Sequence, residues 1–290
     1  LHVASDALSV GNFANPGVDH QGERAGVVVV VGDDPWSIST STPADSRYLF
    51  KHLHMPFLEP STPQELKDWM IKALELSKKS SVYTGLLLTT FMAEGGGRVT
   101  TGEMKELSHD LVELDPATFN LSANVMVPPN SLIADKEMIV NRFPKVKAVM
   151  ESLGLDEEFG NSSSRVGIIS GGAVFETLKQ VLEESELLEK FRLYKAASSY
   201  PLNEKQILPF LRGIDKLIVV EEKRGFLEAE IKDVMLKSGL SYPVYGKEFQ
   251  AADKYVSGFP AFGGLTYEII YKKLQELLDI FDWQSQEEIC

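Results

Sequence analysis

The chain has 290 residues, and 29 Lys and Arg against 42 Asp and Glu give it a formal net charge of −13 at pH 7. A chain this acidic lacks the clustered cations that displace counterions from phosphates, which argues against nucleic acid as a partner. The single cysteine, Cys290, excludes an internal disulfide and an iron–sulfur cluster in this chain, because a cluster takes ~4 thiolates. No apolar run reaches the ~18–20 residues that cross a bilayer, and we see no signal peptide. We therefore expect a cytoplasmic protein with no membrane partner and, at ~100–200 residues per domain, with two domains.

The first part of the chain alternates strand and helix. The unbroken valine run Val27–Val31 predicts a strand that is buried on both faces of a parallel sheet. A helix is predicted to begin at Pro63, because Thr62 can cap it and Glu65 completes a capping box. The apolar run Val82–Thr90 predicts the next strand. Strand, helix and strand in this order form a βαβ unit.

The second part of the chain also alternates strand and helix, and its pattern predicts three βα units of an open α/β sheet. The predicted strands are Val166–Ile169, Leu193–Ala197 and Lys216–Val220. The predicted helices are Ala173–Glu189, Pro201–Leu211 and Phe226–Lys237.

These patterns predict an α/β fold with two open three-layer domains and largely parallel sheets. The first domain is expected at residues 1–93 and the second at residues 162–245, followed by an extension over residues 246–290. Residues 94–161 are rich in Gly, Pro and Ser and are interpreted as a connecting segment with a short helix near Lys145–Leu153.

The loop that follows the first strand is the most suggestive stretch for binding. It carries two acids and several hydroxyls at the carboxyl end of a buried strand, where open α/β sheets place their ligands. The alternative is that the same side chains only satisfy a turn. A receiver domain is excluded, because Val82–Thr90 contains no Asp to accept a phosphate. The candidate residues of this loop are Asp33, Asp34, Ser37, Ser39 and Thr40.

Other polar motifs carry weaker signals. Ser170-Gly171-Gly172 precedes a helix and could bind an anion, but close packing of strand and helix is the favoured interpretation. His52 and His54 have no third ligand at a suitable spacing, so we predict no metal site. Glu221–Arg224 is interpreted as a solvated loop, and Asp45 with Arg47 as a local ion pair. The sequence has no G-x-S-x-G elbow and no internal Cys, and therefore offers no catalytic nucleophile.

Several segments, in this order and spacing, resemble the thiamine-diphosphate-dependent 2-oxoacid:ferredoxin oxidoreductases, in particular their indolepyruvate branch. Segments similar to the later half of the family's pyrimidine-binding domain are Ala25–Pro35, Asp45–Tyr48 and Met55–Glu65. Segments similar to its transketolase C-terminal-like domain are Arg165–Gly172, Tyr200–Lys205 and Asp215–Glu222.

The resemblance implies oxidative decarboxylation of an aryl 2-oxoacid such as indolepyruvate. In the complete enzyme, thiamine diphosphate and Mg²⁺ would carry the chemistry, iron–sulfur clusters would pass electrons to ferredoxin, and CoA would take the acyl group. The expected partners are the remaining domains or subunits of the oxidoreductase, and a homo-oligomer is expected.

Departures from the family pattern limit what this chain can do. No residue here occupies the position of the Glu that activates the cofactor, which we expect upstream of Leu1, and no Asn-Asn pair is present to hold Mg²⁺ and phosphates. We therefore expect a middle segment of the enzyme, inactive alone, with no catalytic residue and no tightly bound cofactor. The loop Asp33–Thr40 is expected near cofactor and substrate in the complete enzyme, with Asp6 and Asn12 as secondary candidates. The alternative hypothesis is a non-catalytic α/β binding or assembly subunit of the same fold.

Overall fold

A computed structural model describes residues 2–14, 25–102, 125–251 and 254–281. The helices are α1 (Ser5–Ala14), α2 (Arg47–His52), α3 (Pro63–Ser80), α4 (Thr90–Glu94), α5 (Asn130–Glu137), α6 (Phe143–Leu153), α7 (Ala173–Glu184), α8 (Glu204–Arg212), α9 (Phe226–Lys237) and α10 (Tyr267–Ile280). The strands are β1 (Val28–Asp33), β2 (Phe57–Leu58), β3 (Thr84–Thr89), β4 (Glu157–Gly160), β5 (Val166–Gly171), β6 (Arg192–Ala196), β7 (Lys216–Val220), β8 (Val244–Tyr245), β9 (Glu248–Ala251) and β10 (Lys254–Ser257). The predicted α/β class with largely parallel sheets is confirmed, and so are the strands and helices predicted from the valine runs and caps.

The first sheet is fully parallel, with strand order β1-β3-β2. Its central strand β3 packs Leu86 and Leu88 against α3 on one face, while Leu87 faces α2 on the other. Apolar side chains on both faces are what a parallel sheet between two helix layers requires. The first sheet and the helices that cover it are called the first lobe below.

Helix α3 begins as the sequence predicts, with one difference in its capping box. The Thr62 hydroxyl accepts the Glu65 backbone N–H at 3.1 Å. The Glu65 carboxylate, however, accepts the backbone N–H of Ser61 at 2.8 Å, one residue before the cap. The helix then buries Trp69 and Leu76 against the sheet.

The second sheet has strand order β4-β6-β5-β7-β8, parallel except for β4, which runs antiparallel to β6. Helices α7 and α10 cover one face around Phe175 and Ile270, and α8 and α9 cover the other around Phe210 and Ile231. This sheet, its helices and the β9–β10 hairpin are called the second lobe.

The described part of residues 94–161 contributes to the first lobe's core. Val146 and Met150 of α6 pack in the same apolar cluster as Trp69 of α3. The Arg142 guanidinium, in the π-helical turn Met138–Arg142, donates to the Asn12 carbonyl at 2.8 Å. The helix predicted near Lys145–Leu153 is therefore present and is a packed element.

Backbone hydrogen bonds join the two lobes directly. The Phe57 N–H donates to the Tyr200 carbonyl at 3.2 Å, and the Glu59 N–H donates to the Ala197 carbonyl at 2.9 Å. Both contacts run between the segment after α2 and the segment after β6. They place the carboxyl ends of the two sheets next to each other.

A buried carboxylate lies beside this junction. Asp156 accepts the Tyr194 hydroxyl at 2.6 Å and the Ala197 backbone N–H at 2.8 Å. Burial raises the pKa of Asp156 to about 6, although both hydrogen bonds act in the opposite direction. An unfolded Asp has a pKa of ~3.9, so folding takes up a proton between these two values.

We predict that Asp156→Asn removes a pH dependence of stability. A group whose pKa is raised on folding contributes stability below its unfolded pKa and loses it as pH rises through the folded value. The wild type should therefore lose on the order of 2–3 kcal/mol of unfolding free energy relative to Asp156→Asn between about pH 4 and pH 8, by urea titration. The control Asp215→Asn removes an exposed acid whose pKa is lowered by its hydrogen bond to Arg165, and should not reproduce the effect. Parallel pH profiles for wild type and Asp156→Asn would contradict the assignment.

Candidate functional site

Four parallel strands end at one cavity between the lobes. Strands β1, β3, β5 and β7 all point their carboxyl ends toward it, and it encloses about 60 Å³. Open α/β sheets bind ligands outside the carboxyl ends of their strands. The polar residues that line the cavity are Asp33, Asp45, Arg47, Glu59, Thr89, Ser199, Glu221, Glu222 and Lys223.

Asp33 is the last residue of β1 and is held in place by the start of α2. Its carboxylate accepts the Ser46 backbone N–H at 2.7 Å and the Ser46 hydroxyl at 2.6 Å. Burial raises the pKa of Asp33, while the two bonds from Ser46 act in the opposite direction. The side chain thus fixes the two ends of the loop 33–46 against each other.

Asp34 is the centre of the loop itself. One carboxylate oxygen accepts the backbone N–H groups of Ser39 at 2.7 Å and Thr40 at 3.2 Å. These backbone bonds lower the pKa of Asp34 to about 2, so the group is ionised at neutral pH. Ser37 adopts φ 57° and donates its hydroxyl to the Thr40 carbonyl at 3.0 Å. The five candidates of the loop are therefore brought together, with Ser39 and Thr40 exposed at its tip.

Arg47 is the buried cation of the cavity. Its guanidinium donates to Asp45 at 2.8 Å and to Glu221 of the second lobe at 2.6 Å. It also donates to the backbone carbonyls of Glu222 at 2.8 Å and Arg224 at 3.1 Å. Burial alone would lower the pKa of Arg47, but the Glu221 and Asp45 carboxylates raise it above its usual range. The predicted local pair with Asp45 is present, and the guanidinium also crosses to the second lobe.

Glu221 links this cation to a helix. Its carboxylate accepts the backbone N–H groups of Phe226 at 3.1 Å, Leu227 at 2.9 Å and Glu228 at 2.9 Å, at the start of α9. A carboxylate at a helix N-terminus satisfies unpaired N–H groups and the helix dipole. Burial nevertheless raises the pKa of Glu221.

The interpretation of residues 221–224 as a solvated loop is wrong. Glu221 and Lys223 are buried, and the Lys223 ammonium donates to the Pro35 carbonyl of the first lobe. The Glu222 carboxylate accepts the Leu265 N–H at 2.9 Å. The residues that contact these charges lie far away in the sequence. The charge run alone therefore could not indicate that Glu221 and Lys223 are buried.

Glu59 is a cavity residue that the sequence patterns did not indicate. Its carboxylate accepts both the backbone N–H, at 3.2 Å, and the hydroxyl of Ser199. Burial raises the pKa of Glu59. A Cβ added to Gly172, which has φ 60°, would lie 3.6 Å from the Glu59 Cβ. The only signal in the sequence is an acid within the otherwise apolar stretch Met55–Pro60.

The Ser170-Gly171-Gly172 turn serves close packing, but against the neighbouring strand β6 and not, as the sequence favoured, between strand and helix. A Cβ on Gly171 would lie 2.8 Å from the Ala196 carbonyl oxygen, so only Gly fits there. Both glycines nevertheless line the cavity, at the start of α7.

The secondary candidates Asp6 and Asn12 lie away from the loop. Asn12 is buried and bonds the Leu53 carbonyl and the Tyr83 N–H, at 2.9 and 2.8 Å, next to the amino end of β3. The loop lies at the other end of this sheet, roughly 17 Å away for a six-residue strand. Asp6 is exposed on the same helix as Asn12.

The described residues contain no group of three His, Cys, Asp or Glu side chains arranged to hold a metal ion. His54 instead packs against Phe13 and Phe143, with ring centroids 5.9 and 6.5 Å away. Within the same described ranges, no helix is long and apolar enough to cross a membrane.

Comparison with known proteins identifies relatives of both lobes. Residues 156–288 match the indolepyruvate oxidoreductase domain. The indolepyruvate oxidoreductase subunit IorA of Methanothermobacter marburgensis is 31% identical over 249 residues, which are 85% of this chain and 38% of the relative. IorA of Thermococcus kodakarensis is 27% identical over 95% of this chain and 42% of the relative. The chain thus spans less than half the length of these relatives.

Two solved structures share the fold. A 2-oxoglutarate:ferredoxin oxidoreductase from Magnetococcus marinus matches 94% of this chain and 51% of its own, with a TM-score of 0.56 and 15% identity. A split-gene transketolase, described as an inactive beta4 tetramer, matches 88% of this chain and 67% of its own, with a TM-score of 0.50 and 14% identity. The predicted relation to oxidoreductase and transketolase folds is confirmed.

We predict that Arg47→Met strongly destabilises the protein. The substitution keeps the side-chain length but leaves Asp45 and Glu221 buried without their shared cation, which typically costs about 3–5 kcal/mol. Urea denaturation followed by circular dichroism measures the loss.

The matched control is Arg165→Met. Arg165 pairs with Asp215, but the side chains are 60% and 61% exposed, and solvent screening leaves such exposed pairs little effect on stability. Equal losses of unfolding free energy for Arg47→Met and Arg165→Met would show that Asp45 and Glu221 do not depend on Arg47 as their shared buried cation.

Proposed function

We propose that the chain is a segment of a 2-oxoacid:ferredoxin oxidoreductase, because residues 156–288 match the indolepyruvate oxidoreductase domain. The proposed reaction of the complete enzyme is the oxidative decarboxylation of an aryl 2-oxoacid, with indolepyruvate as the first candidate. The observation that carries the proposal is the relation to IorA over 85% of the chain, which takes in more than the matched domain alone.

The cavity at the junction of the lobes supports a role near a ligand in that enzyme. The loop Asp33–Thr40 presents the exposed Ser39 and Thr40 from a backbone fixed by two buried acids. A loop that is already ordered positions polar groups at a lower entropic cost on binding. We propose that this loop lies next to cofactor and substrate in the complete enzyme.

Thiamine diphosphate is the cofactor that the family implies, and the carboxylates that line the cavity do not fit its Mg²⁺ and diphosphate. Mg²⁺ takes free carboxylate oxygens together with substrate phosphates. The carboxylates of Asp33, Glu59 and Glu221 are bonded by Ser46, by Ser199, and by Arg47 with the start of α9. We therefore assign phosphate binding to other parts of the enzyme and derive no step through the cofactor.

The proposed partners follow from the same family relation. They are the remaining subunits or domains of the oxidoreductase, ferredoxin as electron acceptor, and CoA as acyl acceptor. A homo-oligomer of the complete enzyme is part of the proposal, as are iron–sulfur clusters outside this chain.

We predict that the isolated chain does not turn over. With thiamine diphosphate, Mg²⁺, indolepyruvate and a viologen acceptor, it should give no acceptor reduction above background, and calorimetry should detect weak or no cofactor binding. The complete enzyme is the positive control. Turnover by the isolated chain would overturn the segment assignment. An unchanged rate of the complete enzyme without this chain would instead favour the non-catalytic assembly subunit.

We predict that loop substitutions lower the activity of the complete enzyme. Asp34→Ala removes the acceptor of the Ser39 and Thr40 N–H groups, and Asp33→Ala frees the loop from Ser46. Each should reduce kcat/KM at least about tenfold, equivalent to ~1.4 kcal/mol. The control is Asp233→Ala, an exposed acid on α9. Unchanged kinetics for Asp33→Ala and Asp34→Ala would remove the loop from the site.

A further inference from the structure

Lys195 is a buried cation of the second lobe that lies behind the cavity and does not line it. It belongs to β6, and its side chain is 4% exposed. Its ammonium donates to the Glu65 carboxylate of the first lobe and lies 3.6 Å from the Glu176 carboxylate of its own lobe. The ring centroids of Phe175 and Trp69 are 5.0 and 6.0 Å from the ammonium. A charge that is removed from water needs such partners, so these contacts hold Lys195 in one position.

Ser61 joins the two acids to each other. Its hydroxyl lies 2.9 Å from a carboxylate oxygen of Glu65 and 2.9 Å from one of Glu176, and its backbone N–H donates to Glu65 at 2.8 Å. Ser61 and Glu65 belong to the start of α3, and Glu176 lies in the first turn of α7. The four residues Ser61, Glu65, Glu176 and Lys195, called the Lys195 cluster below, therefore tie together the starts of two helices from different lobes.

The residues that precede both helices form one wall of the cavity. Glu59 lies two residues before the serine of the cluster, and Gly172 immediately precedes α7. These two residues approach each other closely, because a Cβ on Gly172 would lie 3.6 Å from the Glu59 Cβ. The segment after β6 supplies the Ala197 carbonyl, which accepts the Glu59 N–H at 2.9 Å. A displacement of the Lys195 cluster would therefore move this wall in both lobes.

The Lys195 cluster and the contacts of Arg47 lie on opposite sides of β5. Lys195 is in β6 and Glu221 follows β7, and β5 lies between these two strands in the sheet. The two arrangements are reciprocal, since the first lobe supplies the cation Arg47 and the second lobe supplies the cation Lys195. The carboxyl end of β5 and the start of α7 are thus held from both sides.

We infer that Lys195 is a positioning residue for the site at the cavity. Through Glu65 and Glu176 it holds the starts of α3 and α7 together, and it thereby sets the distance between Glu59 and Gly172. A buried ion pair adds little net stability over apolar packing of the same volume, but it can specify one arrangement of the groups around it. The inference rests on the proposed function, which gives this cavity a role near a ligand.

Hydrogen exchange of single backbone amides tests the positioning in this chain. The double variant Lys195→Met with Glu65→Gln removes the cation together with its nearest acid, so that neither is left buried without its partner. The Glu59 amide donates to Ala197, and the Ser199 amide donates to Glu59, both across the junction of the lobes. These two amides should exchange at least about tenfold faster in the double variant, because local opening of the junction becomes easier.

Two comparisons separate this effect from a general loss of stability. The amides of Leu227 and Glu228, which Glu221 accepts on the other side of β5, should keep their wild-type exchange rates. The control Lys79→Met removes a 54% exposed lysine of α3 that pairs with Glu75, and should leave all four amides unchanged. Equal acceleration of all four amides in the double variant would overturn the inference, and so would wild-type rates at Glu59 and Ser199.

Kinetics of the complete enzyme test whether the position matters for turnover. The double variant should lower kcat for the 2-oxoacid at least about tenfold, because a displacement of ~1 Å at a site is enough for such a loss. KM should change less, and the amount of assembled enzyme should stay close to that of the wild type. A contact that only stabilises the fold would reduce the amount of assembled enzyme and leave kcat of the assembled fraction unchanged, and this result would overturn the inference. A wild-type complete enzyme without any 2-oxoacid turnover would contradict the proposed function instead, and the exchange rates would still test the role of Lys195 at the junction.

Discussion

The burial of one guanidinium determines how the two lobes meet. Arg47 cannot lose its proton, so its position between the sheets requires acceptors for its N–H groups. Asp45 is two residues away, whereas Glu221 and the carbonyls of Glu222 and Arg224 come from the second lobe. A different relative orientation of the lobes would leave this charge with Asp45 as its one partner among these groups. A buried ion pair is weak evidence for stability, but here it specifies one arrangement among those that apolar packing would permit.

The same contact fixes the geometry of the second lobe at the cavity. Glu221 accepts three N–H groups of α9 and the Arg47 guanidinium together, so the start of that helix is tied to the first lobe. Phe226, the first residue of α9, packs edge-on against Tyr48, with ring centroids 5.0 Å apart, and Arg47 lies 5.4 Å from its ring centre. The Arg47 guanidinium, the carboxylate cap of α9 and the aromatic contact of Phe226 thus lie together where the two lobes meet. The loop Asp33–Thr40 lies beside it, at the end of β1.

Local sequence patterns predicted the helices and strands. The features that these patterns missed depend on contacts between residues that are far apart in the sequence. The valine run of β1 and the Thr62 cap of α3 are signals contained within a few residues, and both are present in the structure. Strand β2 has two residues, too few for any periodicity to be seen. The burial of Glu221 depends on Arg47, 174 residues earlier, and the charge run alone does not indicate such a partner. The position of the loop at the end of a strand could be predicted from the sequence. The hydrogen bonds from Ser46 to Asp33 could not, because they join two residues that only the folded chain brings together.

The excess of negative charge around the cavity determines which groups of a complete enzyme could bind next to it. Asp33, Asp45, Glu59, Glu221 and Glu222 stand against Arg47 and Lys223. Burial raises the pKa of Asp33, Glu59, Glu221 and Glu222 because desolvation disfavours the charged form of each carboxylate, and the carboxylates outnumber the two cations of the cavity. Such a field repels a diphosphate and attracts a cationic or proton-donating group. This supports the proposal that phosphates are held elsewhere. The acid excess of the cavity and the buried Arg47 guanidinium are then two parts of one arrangement, because Arg47 both holds the lobes together and limits the repulsion among the carboxylates it joins.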